Sequence, residues 1–140
     1  MSKPKIFIIE DDVNICSALT AKFSVAGFNA VSYVDAHISN ILRKITLHRP
    51  DYIILDLTLP GLDGHELLSA IKADQELGRL PVFVFSDASA AARGRALDLG
   101  ADHYFEKHET VLDELVAKVQ KIIANKSKLA KMKKGYEIKI

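Results

Sequence analysis

Four places along this 140-residue chain put groups capable of polar chemistry directly behind a short apolar block. Glu10-Asp11-Asp12 follows Ile6-Phe7-Ile8-Ile9, and Asp56 follows Tyr52-Ile53-Ile54-Leu55. Ser86-Asp87 follows Val82-Phe83-Val84-Phe85, and Glu106-Lys107 follows His103-Tyr104-Phe105. Carboxylates gathered at a buried edge repel one another and lose hydration, so such a set requires a cation. Oxygen ligands of this kind suit a hard ion such as Mg²⁺, which keeps several waters and takes only one or two carboxylates. A lysine in the same set meets a second anion, for which a phosphoryl group is the natural candidate. A single acid in such a place is also a good helix cap, and Asp12, opening the first helical stretch, has that reading.

These residues act together only if the chain brings the block ends to one edge. Three of the blocks are continuously apolar, the pattern of strands buried on both faces, and Ala30–Val34 reads as a further strand. Helical spacing fills the intervals at about 13–26, 36–48, 64–75, 88–99 and 109–125. Gly27 and Gly100 are placed as helix stops, while Pro50 and Pro81 sit just ahead of strands. Five strands alternating with helices predict an α/β fold, a doubly wound five-stranded parallel sheet between two helical layers. In such a sheet ligands bind beyond the carboxyl ends of the strands, where these polar groups lie.

Composition narrows the class. A chain 49% hydrophobic and 26% charged is expected to fold as one domain, and its single cysteine excludes an internal disulfide or a thiolate-rich zinc cage. No apolar run approaches the ~20 residues of a membrane span, and no signal peptide is visible, so the expected location is cytoplasmic. Residues 1–120 hold 12 Lys and Arg against 17 Asp and Glu, whereas residues 121–140 hold seven lysines against Glu137. An acidic body with a basic tail argues against direct nucleic-acid binding, which needs positive charge across a folded face.

The strand ends resemble the receiver domain of two-component response regulators over roughly Lys5 to Asn125. Ile8-Ile9-Glu10-Asp11-Asp12 is similar to the acidic pocket of that family. Asp56 matches its phosphoacceptor, followed by the loop Leu59-Pro60-Gly61-Leu62-Asp63-Gly64. Ser86 matches its hydroxyl position and Lys107 its lysine. The resemblance implies a flavodoxin-like sheet of order 2-1-3-4-5. It further implies Mg²⁺ held by Asp11, Asp56 and the backbone carbonyl of Thr58, with Glu10 acting through water. By the same resemblance, Asp56 takes a phosphoryl group from a histidine kinase, a phosphotransfer protein or a small phosphodonor. Lys107 would pair with one phosphoryl oxygen, and the Ser86 hydroxyl would swing in to donate to another. Tyr104 resembles the aromatic that rotates inward on activation, the alternative being an ordinary core aromatic. The output is then a changed protein-binding surface on the fourth helix, fifth strand and fifth helix. Its recipient is an unknown downstream protein or an output domain outside this sequence.

Two positions depart from the family pattern. His108 follows Lys107 where a proline, usually cis, is common; without proline a cis bond is costly. It is either a loop histidine or a pH-sensitive neighbour of the phosphoryl group. Asp87 follows Ser86 in place of a small residue and is read as a cap for the next helix, the alternative being a charge that weakens phosphoryl binding. These departures motivate the rival reading, a degenerate receiver acting by constitutive protein contacts without phosphorylation. A phosphatase with an aspartyl nucleophile is disfavoured because Thr58 stands where its second carboxylate belongs. No turnover enzyme is expected, at most slow self-dephosphorylation. Residues 1–125 are assigned to the receiver and 126–140 to a basic extension or linker. Leu129, Met132 and Tyr136 there fall at helical spacing, with Gly135 expected to break the helix.

Overall fold

In the computed structural model residues 3–138 are described, and the side chain of Tyr136 lies outside the described residues. The chain runs β1 (Lys5–Ile9), α1 (Val13–Val25), β2 (Asn29–Ser32), α2 (Ile38–His48) and β3 (Tyr52–Leu55). A tight hairpin, β4 (Thr58–Leu59) and β5 (Leu62–Asp63), leads into α3 (Gly64–Ala73). Then come β6 (Val82–Ser86), α4 (Ala90–Asp98), β7 (His103–Glu106) and α5 (Leu112–Ile138). Five of these strands form one parallel sheet in the order β2-β1-β3-β6-β7. Counting sheet strands alone, this is the expected 2-1-3-4-5. The hairpin was not expected from the sequence: two-residue strands are too short to show a period, and the turn chemistry of Pro60-Gly61 reads only as a loop.

The apolar blocks are continuous because the sheet is covered on both sides. Phe7, Ile9, Ile53, Leu55, Val82 and Val84 face α2 and α3, meeting Ile41, Ile45, Leu67 and Ile71. Ile6, Ile8, Ile54, Phe83 and Phe85 point the other way, onto Leu19 and Phe23 of α1 and Leu115 and Val119 of α5. A shift of one residue in register would exchange these two sets, so packing on both faces fixes where each strand ends.

Helix boundaries follow local capping. Asp12 Oδ1 accepts the amides of Asn14 and Ile15, as expected of an N-cap. Gly27 and Gly100 take φ of 96° and 109°, a conformation that closes a helix at little steric cost to glycine. Gly135 does not break α5, which continues to Ile138. An interior glycine costs only about 1 kcal/mol relative to alanine, so with no competing cap the helix passes through it. The same helix crosses residue 125 without interruption. None of the described helices is long and apolar enough to cross a membrane.

Candidate functional site

The chain returns to the sheet on opposite sides of β1, through β2 and through β3, so the order reverses between β1 and β3. Their carboxyl ends flank the crevice where such sheets bind ligands. Ile9 is in register with Leu55, and the Asp56 amide donates to the Ile9 carbonyl at 3.0 Å. Glu10 and Asp56 are therefore carried side by side. Among the described residues Glu10, Asp56 and Ser86 are the buried polar ones, at 4%, 2% and 0% exposure. All three lie at the carboxyl ends of β1, β3 and β6 (Ser86 as its last residue).

Lys107, just past β7, closes the group. Its ammonium donates to Asp56 Oδ2 at 2.8 Å and lies 2.6 Å from Glu10 Oε1. Asp56 Oδ1 is more crowded, accepting from the Thr58 amide at 3.0 Å, the Thr58 hydroxyl at 2.9 Å and the Ser86 hydroxyl at 2.8 Å. Ser86 Oγ in turn accepts the Leu57 amide at 3.2 Å. The Ser86 hydroxyl is thus bonded to Asp56 itself. A fully buried hydroxyl needs a partner, and the carboxylate supplies one.

Burial by itself pushes the Asp56 carboxyl up, but hydrogen bonds from Lys107, Thr58 and Ser86 outweigh it and hold the group below its ordinary 3.8. Glu10 goes the other way: burial raises it above 4.5, and Lys107 and the Asp12 amide only partly offset this. Burial disfavours the Lys107 ammonium, yet Asp56 and Glu10 together lift it above 10.5. The result is an ionised Asp56, a secure ammonium and a second carboxylate that ionises at a cost.

The donor set fits a hard divalent cation. Glu10, Asp11 and Asp56 each bring an oxygen within 4.8 Å of the others. Glu10 Oε1 is buried without a well-directed hydrogen bond, despite its short approach to Lys107. Three carboxylates facing one ammonium leave negative charge that Mg²⁺ would neutralise, through the oxygen chemistry it prefers.

Tyr104 lies inward, 9% exposed, its hydroxyl donating to the Ser86 carbonyl at 3.3 Å and accepting the Ala88 amide at 3.2 Å. Arg93 of α4 stacks over its ring at 5.3 Å.

Asp87 corrects the sequence reading. It does not cap α4, which starts at Ala90 and is capped by Ser89 through the Ala92 amide. Asp87 Oδ1 instead accepts the His108 amide at 3.0 Å and lies 2.6 Å from His108 Nδ1. The Lys107–His108 bond is trans, as are all described peptide bonds. The Asp87–His108 contact was missed because it spans 21 residues and no local spacing announces it. The Thr58 hydroxyl was also missed, although a carboxylate two residues ahead of a threonine is a recognised local hydrogen-bonding pattern.

A family model described as the response regulator receiver domain matches residues 6–120. The transcriptional regulatory protein PrrA of Mycobacterium tuberculosis is 33% identical over 132 residues, 93% of this chain and 54% of PrrA. The chain thus spans about half the length of that relative. The receiver domain of the Francisella response regulator 1452 superposes with a TM-score of 0.74 at 27% identity, covering 88% of this chain and 98% of that one. The chemotaxis response regulator CheY4 of Vibrio cholerae gives 0.76 at 20% identity, covering 86% and 99%, a likeness of fold.

Proposed function

Because the chain belongs to the response regulator receiver domain family, we propose that it accepts a phosphoryl group on Asp56 and relays it as a change in a protein-binding surface. The observation that carries this reading is the convergence of buried Glu10 and Asp56 on the Lys107 ammonium, with buried Ser86 bonded to Asp56, at the switch point of the sheet.

Among the described residues Asp56 Oδ2 has Lys107 as its one hydrogen-bond donor, whereas Oδ1 accepts three. Oδ2 is therefore the oxygen with lone pairs open for attack on phosphorus. An O–P bond forms there as the P–N bond of a phosphohistidine breaks, and the released imidazole takes a proton from solvent. Asp56 is ionised at neutral pH, so no added base is needed. Catalysis rests on positioning and on charge stabilisation. Lys107 shifts its hydrogen bond to a phosphoryl oxygen, and Ser86 turns from Asp56 Oδ1 to another, each donor being already in place. When bound by Asp11, Asp56 and the Thr58 carbonyl, with Glu10 through water, Mg²⁺ supplies positive charge against the phosphoryl oxygens. Movement of Ser86 reaches Tyr104 through the Ser86 carbonyl, and thence α4 through Arg93.

The donor is a histidine kinase or a phosphotransfer protein. The recipient is a downstream protein or an output domain joined beyond the receiver. In this reading residues 1–125 are the receiver and 126–140 a basic extension, and the chain turns over no substrate beyond its own slow dephosphorylation. Intact mass after incubation with acetyl phosphate tests the reading. A gain of one phosphoryl group that requires Mg²⁺ and disappears in Asp56→Asn is expected. A folded wild type that gains nothing would overturn it in favour of a receiver acting by constitutive contacts.

A further inference from the structure

Lys107 works from the first residue beyond a strand, a place where a sheet ordinarily frays. Its own amide makes the last ladder bond, to the Ser86 carbonyl at 3.3 Å. The next acceptor along β6 is a side chain: Asp87 Oδ1 takes the His108 amide at 3.0 Å and lies 2.6 Å from His108 Nδ1. Lys107 therefore sits between two cross-strand ties, both ending on the segment that carries Ser86. Tyr104 holds that segment from the other side, through the Ser86 carbonyl and the Ala88 amide.

We propose that Asp87 and His108 are a positioning pair, in which one carboxylate grips both the amide and the ring of His108 and so clamps Lys107 to the Ser86 loop. The two groups that must meet the phosphoryl oxygens then move as a unit. For its kinetic consequence the inference rests on the phosphoacceptor reading above.

Three carboxylates face the imidazole: Asp87 from the β6–α4 loop, Glu106 of β7 at 3.8 Å and Glu109 of the following loop at 3.8 Å. The hydrogen bond to Asp87 raises His108 above its ordinary 6.5, and the same bond lowers Asp87 below 3.8. Below pH 6.5 His108 is charged whether folded or not, and its contribution is complete; it fades as pH rises through the raised folded value. At the acid end the contribution of Asp87 is complete above 3.8 and is lost as pH falls through its lowered folded value. The clamp is thus strongest in mildly acidic to neutral solution.

Two measurements test the pair. In an imidazole NMR titration, with the His108 signal assigned by its loss in His108→Asn, the wild type is expected to titrate above 6.5 and Asp87→Asn to bring it back toward that value. A wild-type His108 that titrates at its ordinary value, or one indifferent to Asp87→Asn, would sink the proposal. In the second, initial rates of phosphorylation by acetyl phosphate are followed by mass from pH 5.5 to 8.5. Asp87→Ala, losing the carboxylate's hold on both the amide and the ring of His108, is expected to slow the reaction about tenfold near pH 6.5, in line with the cost of a misplaced catalytic group. His108→Ala keeps the amide tie and loses less. His108→Asn, which keeps a side-chain donor but no titration, is expected to recover most of the rate. The wild-type to His108→Asn ratio, in which the ionisation of the donor cancels, should fall toward one as pH rises through the His108 transition. A flat ratio together with an unaltered Asp87→Ala rate would overturn the clamp. A wild type that takes no phosphoryl group overturns the phosphoacceptor reading instead, and the NMR titration then decides the pair by itself.

Discussion

The two ends of the parallel sheet use charge in opposite ways. At the amino end Lys5, Asp51, Lys72 and Asp102 are each tied to a nearby backbone group. Asp51 accepts the Lys5 amide, whose ammonium donates to the His48 carbonyl. Asp102 accepts both the Val82 amide and the Lys72 ammonium, and Lys72 also caps the Leu80 carbonyl. Charges there finish the hydrogen bonding of strand starts and remain partly hydrated, with Asp102 at 30% exposure. At the carboxyl end Glu10 and Asp56 are almost wholly buried and share Lys107, with Asp11 close by. A matched, hydrated ion pair contributes to the fold and has nothing left for a ligand. An unmatched, buried set costs stability and keeps binding capacity in reserve.

The same substitution at both ends sharpens this contrast. Lys107→Met leaves two buried carboxylates without a counter-charge and is expected to lower unfolding free energy by about 3–5 kcal/mol at pH 7. Urea denaturation measures the loss, and added Mg²⁺ should restore part of it. Lys72→Met leaves an Asp102 that still holds the Val82 amide and meets water, so about 1 kcal/mol is expected, with no response to Mg²⁺. Equal losses, or a Mg²⁺ response at both ends, would break the comparison.

Glu10→Gln probes the cost directly and is expected to have the smallest effect. The folded state holds the Glu10 proton more tightly than the unfolded chain, so the wild type loses stability as pH rises from 4.5 through the raised folded value. Glutamine resembles the protonated acid. The variant should match the wild type near pH 4 and be more stable at pH 7.5 in the absence of Mg²⁺. A urea midpoint lower than wild type at pH 7.5 would show that the Lys107 contact outweighs burial.

Much of the fold and most of the site were legible in one dimension. Ile6–Ile9, Tyr52–Leu55 and Val82–Phe85 read as buried strands because continuous apolar runs have few other uses at that length. Their polar successors, Glu10, Asp56 and Ser86, followed at once, since a strand that leaves the core delivers its next residue to the edge. Asp12 was readable as a cap because capping is local. Asp87 was misread for the same reason: local logic assigns an acid ahead of a helix to that helix, whereas Ser89 does the capping. Gly135 was misread because a propensity of about 1 kcal/mol is too small to stop a helix where nothing competes.

Sequence alone thus determined the alternation of strands and helices, the acids, the hydroxyl and the lysine at the strand ends, and the asymmetry between an acidic body and a basic tail. These are properties of short range and of composition, carried by periodicity and residue type. Tertiary structure alone decided that Lys107 is shared between Glu10 and Asp56, that Ser86 is bonded to Asp56 and Tyr104 turned inward, and that Asp87 reaches His108. Each of those contacts joins residues far apart along the chain, and only the register of neighbouring strands brings them within a hydrogen bond of one another.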